Sequence, residues 1–297
     1  MSDNKLKQVV VYGLGAMGRP MARNLHQQGL LVGIKNRTEG KSKAMQNELG
    51  LTAFESDSEM FQAADTVLTC VSADQDLMDV VAGFIDDLKP GSTVIDCSTV
   101  SPKTARTLAD DLASRGIAFM DAPVSGGVEG AKKGTLSVMV GAEREEYKRA
   151  SEVFAAIGSQ ITHVGKVGQG QATKAVNQVM VAGVAQAVCS ALAFAENCNL
   201  DMKKAIEVLS AGAAGNWFLD NRGHTMVKDE FNVGFKLQLL HKDLKICQEA
   251  LKDLGADLSV VDQSIEDYAQ LMDMGHGDDD ISGLIRLRRA AFNNQES

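Results

Sequence analysis

Three segments of the chain carry residue types at spacings that suit chemistry. The first is Gly13-Leu14-Gly15-Ala16-Met17-Gly18, a G-x-G-x-x-G directly after the apolar run Val9–Tyr12. The first glycine permits a tight turn, the second lets the backbone approach a pyrophosphate, and the third allows a helix to pack close on a strand. The helix N-terminus then offers N–H groups and partial positive charge to phosphates. A strand before the motif and helix-compatible sequence from Met17 on make it a dinucleotide site rather than a bare turn. The second segment is Asp121–Gly130, with Ser125, Gly126 and Gly127 at its centre. A serine beside glycines presents a hydroxyl and backbone N–H groups to a small carboxylate. By itself this spacing leaves a plain glycine-rich loop equally open.

The third segment runs from Gly168 to Gln178. Lys174, Asn177 and Gln178 stand at i, i+3 and i+4, so a helix puts them on one face. Lys174 is also the last charge before 21 uncharged residues, 175–195. A lysine there suits a proton donor to a substrate oxygen, with the two amides orienting it. A helix-start lysine that snorkels to solvent is the other reading.

The cofactor is selected at the end of the second strand-like run, which reads Lys35-Asn36-Arg37-Thr38 with Lys41 and Lys43 following. An NAD site usually places an acid about 20 residues after the glycines. Arg37 can instead grip a 2′-phosphate in a charge-assisted fork, with Asn36 and Thr38 adding neutral hydrogen bonds. The expectation is NADP(H), with NAD(H) the alternative and a solvated basic turn the bland reading.

These segments need a scaffold. Apolar, β-branched runs occur at Gln8–Tyr12, Leu30–Ile34, Thr66–Val71, Thr93–Cys97, Ile117–Met120, Leu136–Val140 and Gln160–Val164, several separated by helical patterns. Alternation of this kind predicts an α/β fold, a Rossmann-type doubly wound, mostly parallel sheet. Val71, at the end of the third run, is assigned to the cofactor. After residue 166 only helical patterns follow. The expected division is 1–166 for cofactor binding and 167–297 for an all-helical domain that opens with a long buried interdomain helix.

With 30 basic and 39 acidic residues, the net charge of −9 argues against a broad nucleic-acid footprint or polybasic membrane anchoring. The cysteines, Cys70, Cys97, Cys189, Cys198 and Cys247, are scattered without a C-x-x-C pair, so neither a disulfide framework nor a metal site is expected. They read as small buried residues of a cytoplasmic protein. The acids of Gly275–Asp280 are expected to cap a final helix near Ile281 rather than bind a metal.

Together these motifs resemble the β-hydroxyacid dehydrogenases, the family that contains 3-hydroxyisobutyrate dehydrogenase, tartronate semialdehyde reductase and the glyoxylate/succinic semialdehyde reductases. The resemblance rests on GLGAMGRPMARNL at 13–25, DAPVSGGVEGAKKGTL at 121–136, GQGQATKAVNQ at 168–178 and Lys242-Asp243-Leu244, in order over nearly the whole chain. It implies an active site in the cleft between the two domains, with Lys174 as catalytic acid/base and Ser125, Gly126 and Gly127 on the substrate carboxylate. Thr99, in Ser98-Thr99-Val100, would lie by nicotinamide and substrate. Lys242 and Asp243 go with the cofactor and Phe235 with the substrate, the last two lining the closed cleft. Asn177-Gln178 replaces the Asn-Asn of several members and is similar to tartronate semialdehyde reductase-like ones, which weakens assignment to 3-hydroxyisobutyrate itself. The Asn-Arg-Thr turn resembles that of NADPH-using semialdehyde reductases. The expected reaction is hydride transfer between NADP(H) and a small hydroxyacid or semialdehyde, in a homodimer or homotetramer. The alternatives are an imine reductase-like enzyme, which Lys174 disfavours, and a catalytically inactive NADP-binding protein.

Overall fold

The computed structural model describes residues 5–52, 54–232 and 234–293. Eight strands form one sheet: β1 (Val9–Tyr12), β2 (Leu31–Lys35), β3 (Thr66–Thr69), β4 (Thr93–Asp96), β5 (Ala118–Asp121), β6 (Val124–Ser125), β7 (Leu136–Gly141) and β8 (Gly158–Gly165). Their order is β2-β1-β3-β4-β5-β7-β6, with β8 on β7. The first five pair in parallel, in a register that aligns Val10, Val67, Val94 and Phe119 across the sheet. β7 runs antiparallel to β5 and β6 but parallel to β8. All the strand-like runs become strands, with ends displaced by no more than two residues; β6 has no counterpart among them.

Both faces of this sheet are covered, as the continuous apolar strands require. Side chains alternate between faces along a strand. Val9 and Val11 therefore join Leu68, Ile95 and Met120 in one core, while Val10, Val67, Val94 and Phe119 belong to the other.

Beyond β8 the described residues form helices and no strand, apart from an isolated bridge between Lys236 and Asp280. The helices Gln169–Asn197, Leu237–Asp253 and Ser259–Asp273 supply Leu192, Leu240, Leu244 and Tyr268 to a separate core. Asp280 caps the turn Ile281–Leu284 that leads into the last helix, accepting the Ser282 N–H at 3.0 Å. The chain divides into two compact units, Met1–Lys174 and Ala175–Ser297. The division falls inside the long helix, eight residues past the expected boundary, because the first turns of that helix are hydrogen-bonded to the sheet unit.

The Gln169–Asn197 helix is long and apolar enough to cross a membrane by length and composition, and 44% of its most apolar window is buried. It is therefore not a helix buried all round, as its sequence suggested. Val176, Met180 and Phe194, spaced along one side, are 64%, 66% and 60% exposed. Among the cysteines Cys97, Cys189 and Cys247 are buried, Cys70 is half-buried and Cys198 is exposed.

Candidate active site

The glycine motif links β1 to the helix Gly18–Gln27. Gly13 has φ +105°, and a Cβ there would lie 2.2 Å from the Cys70 carbonyl oxygen. A Cβ on Gly18 would fall 1.8 Å from the Gly13 carbonyl oxygen. Both positions are closed to any other residue by the chain itself. Gly15 is different: a Cβ there would meet nothing within 4 Å among the described residues. Its small size leaves room for something outside the protein, which is what backbone approach to a pyrophosphate needs. Alongside lies a cleft of about 320 Å³ lined by Leu14, Gly15, Ala16 and the cations Arg19, Arg23, Lys41 and Lys132. The helix starting at Gly18 has no side-chain cap on its N-terminus, where Met17 stands. Open backbone, cations and an uncapped helix start fit a dinucleotide phosphate.

Asn36 ties this loop to β2. Its Oδ1 accepts the Leu14 N–H at 2.9 Å and its Nδ2 donates to the Thr38 carbonyl at 3.2 Å. Arg37 is largely exposed and pairs with Asp76 at 2.8 Å. Thr38 precedes the helix Glu39–Leu49 without capping it through its side chain.

At the carboxyl ends of β3, β4 and β5 the structure assembles a buried polar network that sequence reading had not assigned. Oδ1 of Asp96 accepts from Thr69 Oγ1 at 2.8 Å and from Ser98 Oγ at 2.6 Å. Ser98 Oγ in turn accepts the Val71 N–H at 2.8 Å. Val71 is thus fixed by its backbone to the loop that carries half-buried Thr99. Asp121, the last residue of β5, accepts the N–H of Gly168 on Oδ1 at 2.7 Å and of Gln171 on Oδ2 at 2.8 Å. Those N–H groups belong to the start of the Lys174 helix, so a buried carboxylate satisfies its unpaired donors. Gly170 allows this approach, since a Cβ there would sit 2.5 Å from the Met139 carbonyl oxygen. Lys174 itself is 7% exposed.

Burial pushes the Asp96 carboxyl up to about 6, against hydrogen bonds from Ser98 and Thr69 that favour its ionised form. Its Oδ2 has no hydrogen-bond partner among the described residues. Burial likewise raises Asp121, while backbone N–H groups of Gly168 and Gln171 pull the other way. The native state holds the Asp96 proton more tightly than the unfolded chain, where an Asp titrates near ~3.9. Asp96 therefore removes stability as pH rises from about 4 to about 6. Asp96→Asn cannot ionise and escapes that loss. Thermal melts of the two proteins should diverge in favour of the variant across this window, by up to about 3 kcal/mol. A difference independent of pH would contradict the assignment.

Ser125 ends β6, half-buried, and the exposed Gly126 and Gly127 follow at φ +126° and +62° to start the helix Gly127–Lys133. These are left-handed conformations that favour glycine. The expected loop is thus a short strand and a turn, with Ser125 facing Ser137 of β7 in register.

In the helical unit, Asn177 Nδ2 donates to Gln178 Oε1 at 2.9 Å and Gln178 Nε2 donates to Asp243 Oδ2 at 2.7 Å. Lys242 Nζ lies 2.9 Å from Asp243 Oδ1. Four of the expected residues therefore form one chain of contacts, with Asp243 and Gln178 buried. Phe235 packs against the helical core and donates its N–H to Asp280 Oδ2 at 2.9 Å.

Two family descriptions match the chain. Residues 8–165 match the NAD binding domain of 6-phosphogluconate dehydrogenase, and residues 168–288 match the NAD-binding domain of NADP-dependent 3-hydroxyisobutyrate dehydrogenase. The chain belongs to the 3-hydroxyisobutyrate dehydrogenase family. Among its relatives, 2-hydroxy-3-oxopropionate reductase of Escherichia coli is 35% identical over 249 residues, 83% of this chain and 85% of that protein. NAD-dependent L-serine dehydrogenase of Pseudomonas aeruginosa is 31% identical, over 95% of this chain and 98% of that one. The structure of Mycobacterium tuberculosis 3-hydroxyisobutyrate dehydrogenase with L-serine superposes with a TM-score of 0.87 at 29% identity, covering 96% of this chain and 99% of that one. As a member of the 3-hydroxyisobutyrate dehydrogenase family, the chain is an NAD(P)-dependent hydroxyacid dehydrogenase.

Proposed function

We propose that this protein transfers hydride between NADP(H) and a small β-hydroxyacid or its semialdehyde, with Lys174 as the general acid/base. The observation that carries the reading is Lys174 itself: a lysine 7% exposed, in the opening turns of a helix anchored by buried Asp121. Burying an ammonium group is costly, and its use here is proton transfer. Bound NADPH supplies the hydride. Ser125, Gly126 and Gly127 hold the substrate carboxylate, and the Lys174 ammonium gives its proton to the alkoxide oxygen as charge develops there. In the oxidative direction the neutral amine takes the hydroxyl proton. Relatives named for 2-hydroxy-3-oxopropionate and for L-serine support a three-carbon acid with a polar substituent.

The 2′-phosphate falls to Arg37. Its partner Asp76 is a weak competitor, because an exposed ion pair contributes only about 0–1 kcal/mol. Arg37→Ala should lower kcat/KM for NADPH about 10–100-fold and leave NADH nearly unchanged, since charged hydrogen bonds are worth about 1.5–3 kcal/mol. Equal losses with both cofactors would place the phosphate elsewhere. The test of the whole reading is oxidation of NADPH and NADH against tartronate, succinic and methylmalonate semialdehydes and glyoxylate. NADPH-dependent turnover supports it; tight NADPH binding with no turnover favours an inactive binding protein. The uncharged exposed stripe Val176, Met180 and Phe194 supports a homo-oligomer, which light scattering on the purified protein measures.

A further inference from the structure

We propose that Gln171 is a positioning residue that locks the Thr99 loop to the helix bearing Lys174. The inference rests on the acid/base reading of Lys174. Gln171 is 1% exposed. Its Nε2 donates to the Ser98 carbonyl at 2.8 Å and its Oε1 accepts the Val100 N–H at 3.2 Å. One side-chain amide therefore binds the peptide groups on both sides of Thr99, as a neighbouring strand would. Its own backbone N–H goes to Asp121.

The loop is held from the other side as well, because Ser98 Oγ bridges Asp96 and the Val71 N–H. Gln171 precedes Lys174 by three residues, so the two side chains leave neighbouring points on the same helix face. The amide sets Thr99 and Lys174 at one spacing. Both a donor and an acceptor on one planar group are needed. Methionine matches the length and supplies neither, while an ionised glutamate keeps the acceptor and turns a second negative oxygen on the Ser98 carbonyl.

The test uses the full chain with Gln171→Met and Gln171→Glu, reading thermal melts, kcat and KM for NADPH. It also reads the rate at which formaldehyde and a borane methylate Lys174, followed by peptide mass spectrometry. Folded Gln171→Met should lose about 10–100-fold in kcat, the scale of a small misplacement of a catalytic group. Its KM for NADPH should stay near that of the wild type, and Lys174 should be methylated several-fold faster. In Gln171→Glu the protonated acid restores both hydrogen bonds, so kcat should recover as pH falls, in a profile the wild type lacks. The charged and titratable groups on the elements that meet there include Asp121, Asp96 through Ser98, Arg106 beside Gly168, and Lys174 three residues on; all are present in the wild type, which therefore serves as the control.

Wild-type kcat and wild-type Lys174 labelling in a folded Gln171→Met protein would overturn the proposal. If that variant does not fold, a pH-independent kcat in Gln171→Glu overturns it. Should the wild type turn over no semialdehyde, the functional reading fails separately, and Lys174 labelling still decides the positioning role: faster methylation supports it and unchanged methylation refutes it.

Discussion

Lys174→Ala is expected to lower kcat by about 10²–10⁴-fold while leaving NADPH binding intact, the range spanned by loss of a positioned general acid. The side chain is buried and belongs to a helix start that Asp121 holds through the N–H groups of Gly168 and Gln171. Those bonds are to backbone, so truncation at Lys174 leaves the anchor in place. Lys174→Arg separates proton transfer from charge. It keeps a cation near the substrate oxygen, but a guanidinium does not give up its proton in proteins. Arginine should therefore restore substrate KM and not kcat. Stopped-flow reduction with NADPH and the best semialdehyde of the panel measures both. Turnover near wild type in Lys174→Ala would end the acid/base assignment.

The second large effect concerns the glycine loop, where two neighbouring substitutions should fail for different reasons. Gly15→Asp meets no atom of the described residues within 4 Å of its Cβ, so the chain should fold with a melting temperature near that of the wild type. Its carboxylate points into the space reserved for phosphate. Like-charge juxtaposition costs several kcal/mol, so NADPH affinity should drop by about 100-fold or more, as a fluorescence titration would read. Gly18→Ala drives its Cβ to 1.8 Å from the Gly13 carbonyl oxygen, which the backbone cannot absorb locally. That variant should lose stability and cofactor together. Undiminished NADPH binding by Gly15→Asp would move the cofactor away from this loop.

Local features were legible wherever one segment carried its own instruction. The run Val9–Tyr12 and the glycines after it specify a buried strand, a tight turn and a helix start within ten residues of chain, and the continuous apolar, β-branched runs specified the other long strands. The acids of the tail were legible too, because capping is a contact between near neighbours, as Asp280 and Ser282 show. The two-residue strand Val124–Ser125 was not, since so short a pairing has no period of its own and exists only because β7 lies beside it.

The polar network behind the site was the other part out of reach. Asp121 and Gln171 stand in stretches where nothing nearby in sequence names their partners, and of the side chains on Asp96 only Ser98 is a near neighbour, Thr69 lying 27 positions away. Gln171 bonds to residues 71 and 73 positions away, and Asp121 to N–H groups 47 and 50 positions on. The sequence by itself determined that this chain has a dinucleotide loop, an alternating sheet-and-helix half, a helical half and a lysine with two amides on one helix face. Only the tertiary structure decided what holds that lysine's helix, which face of the long helix is covered, and that Arg37 and Asp76 are paired. Periodicity and turn chemistry act over a few residues, whereas a buried polar group must find its partner wherever folding brings one.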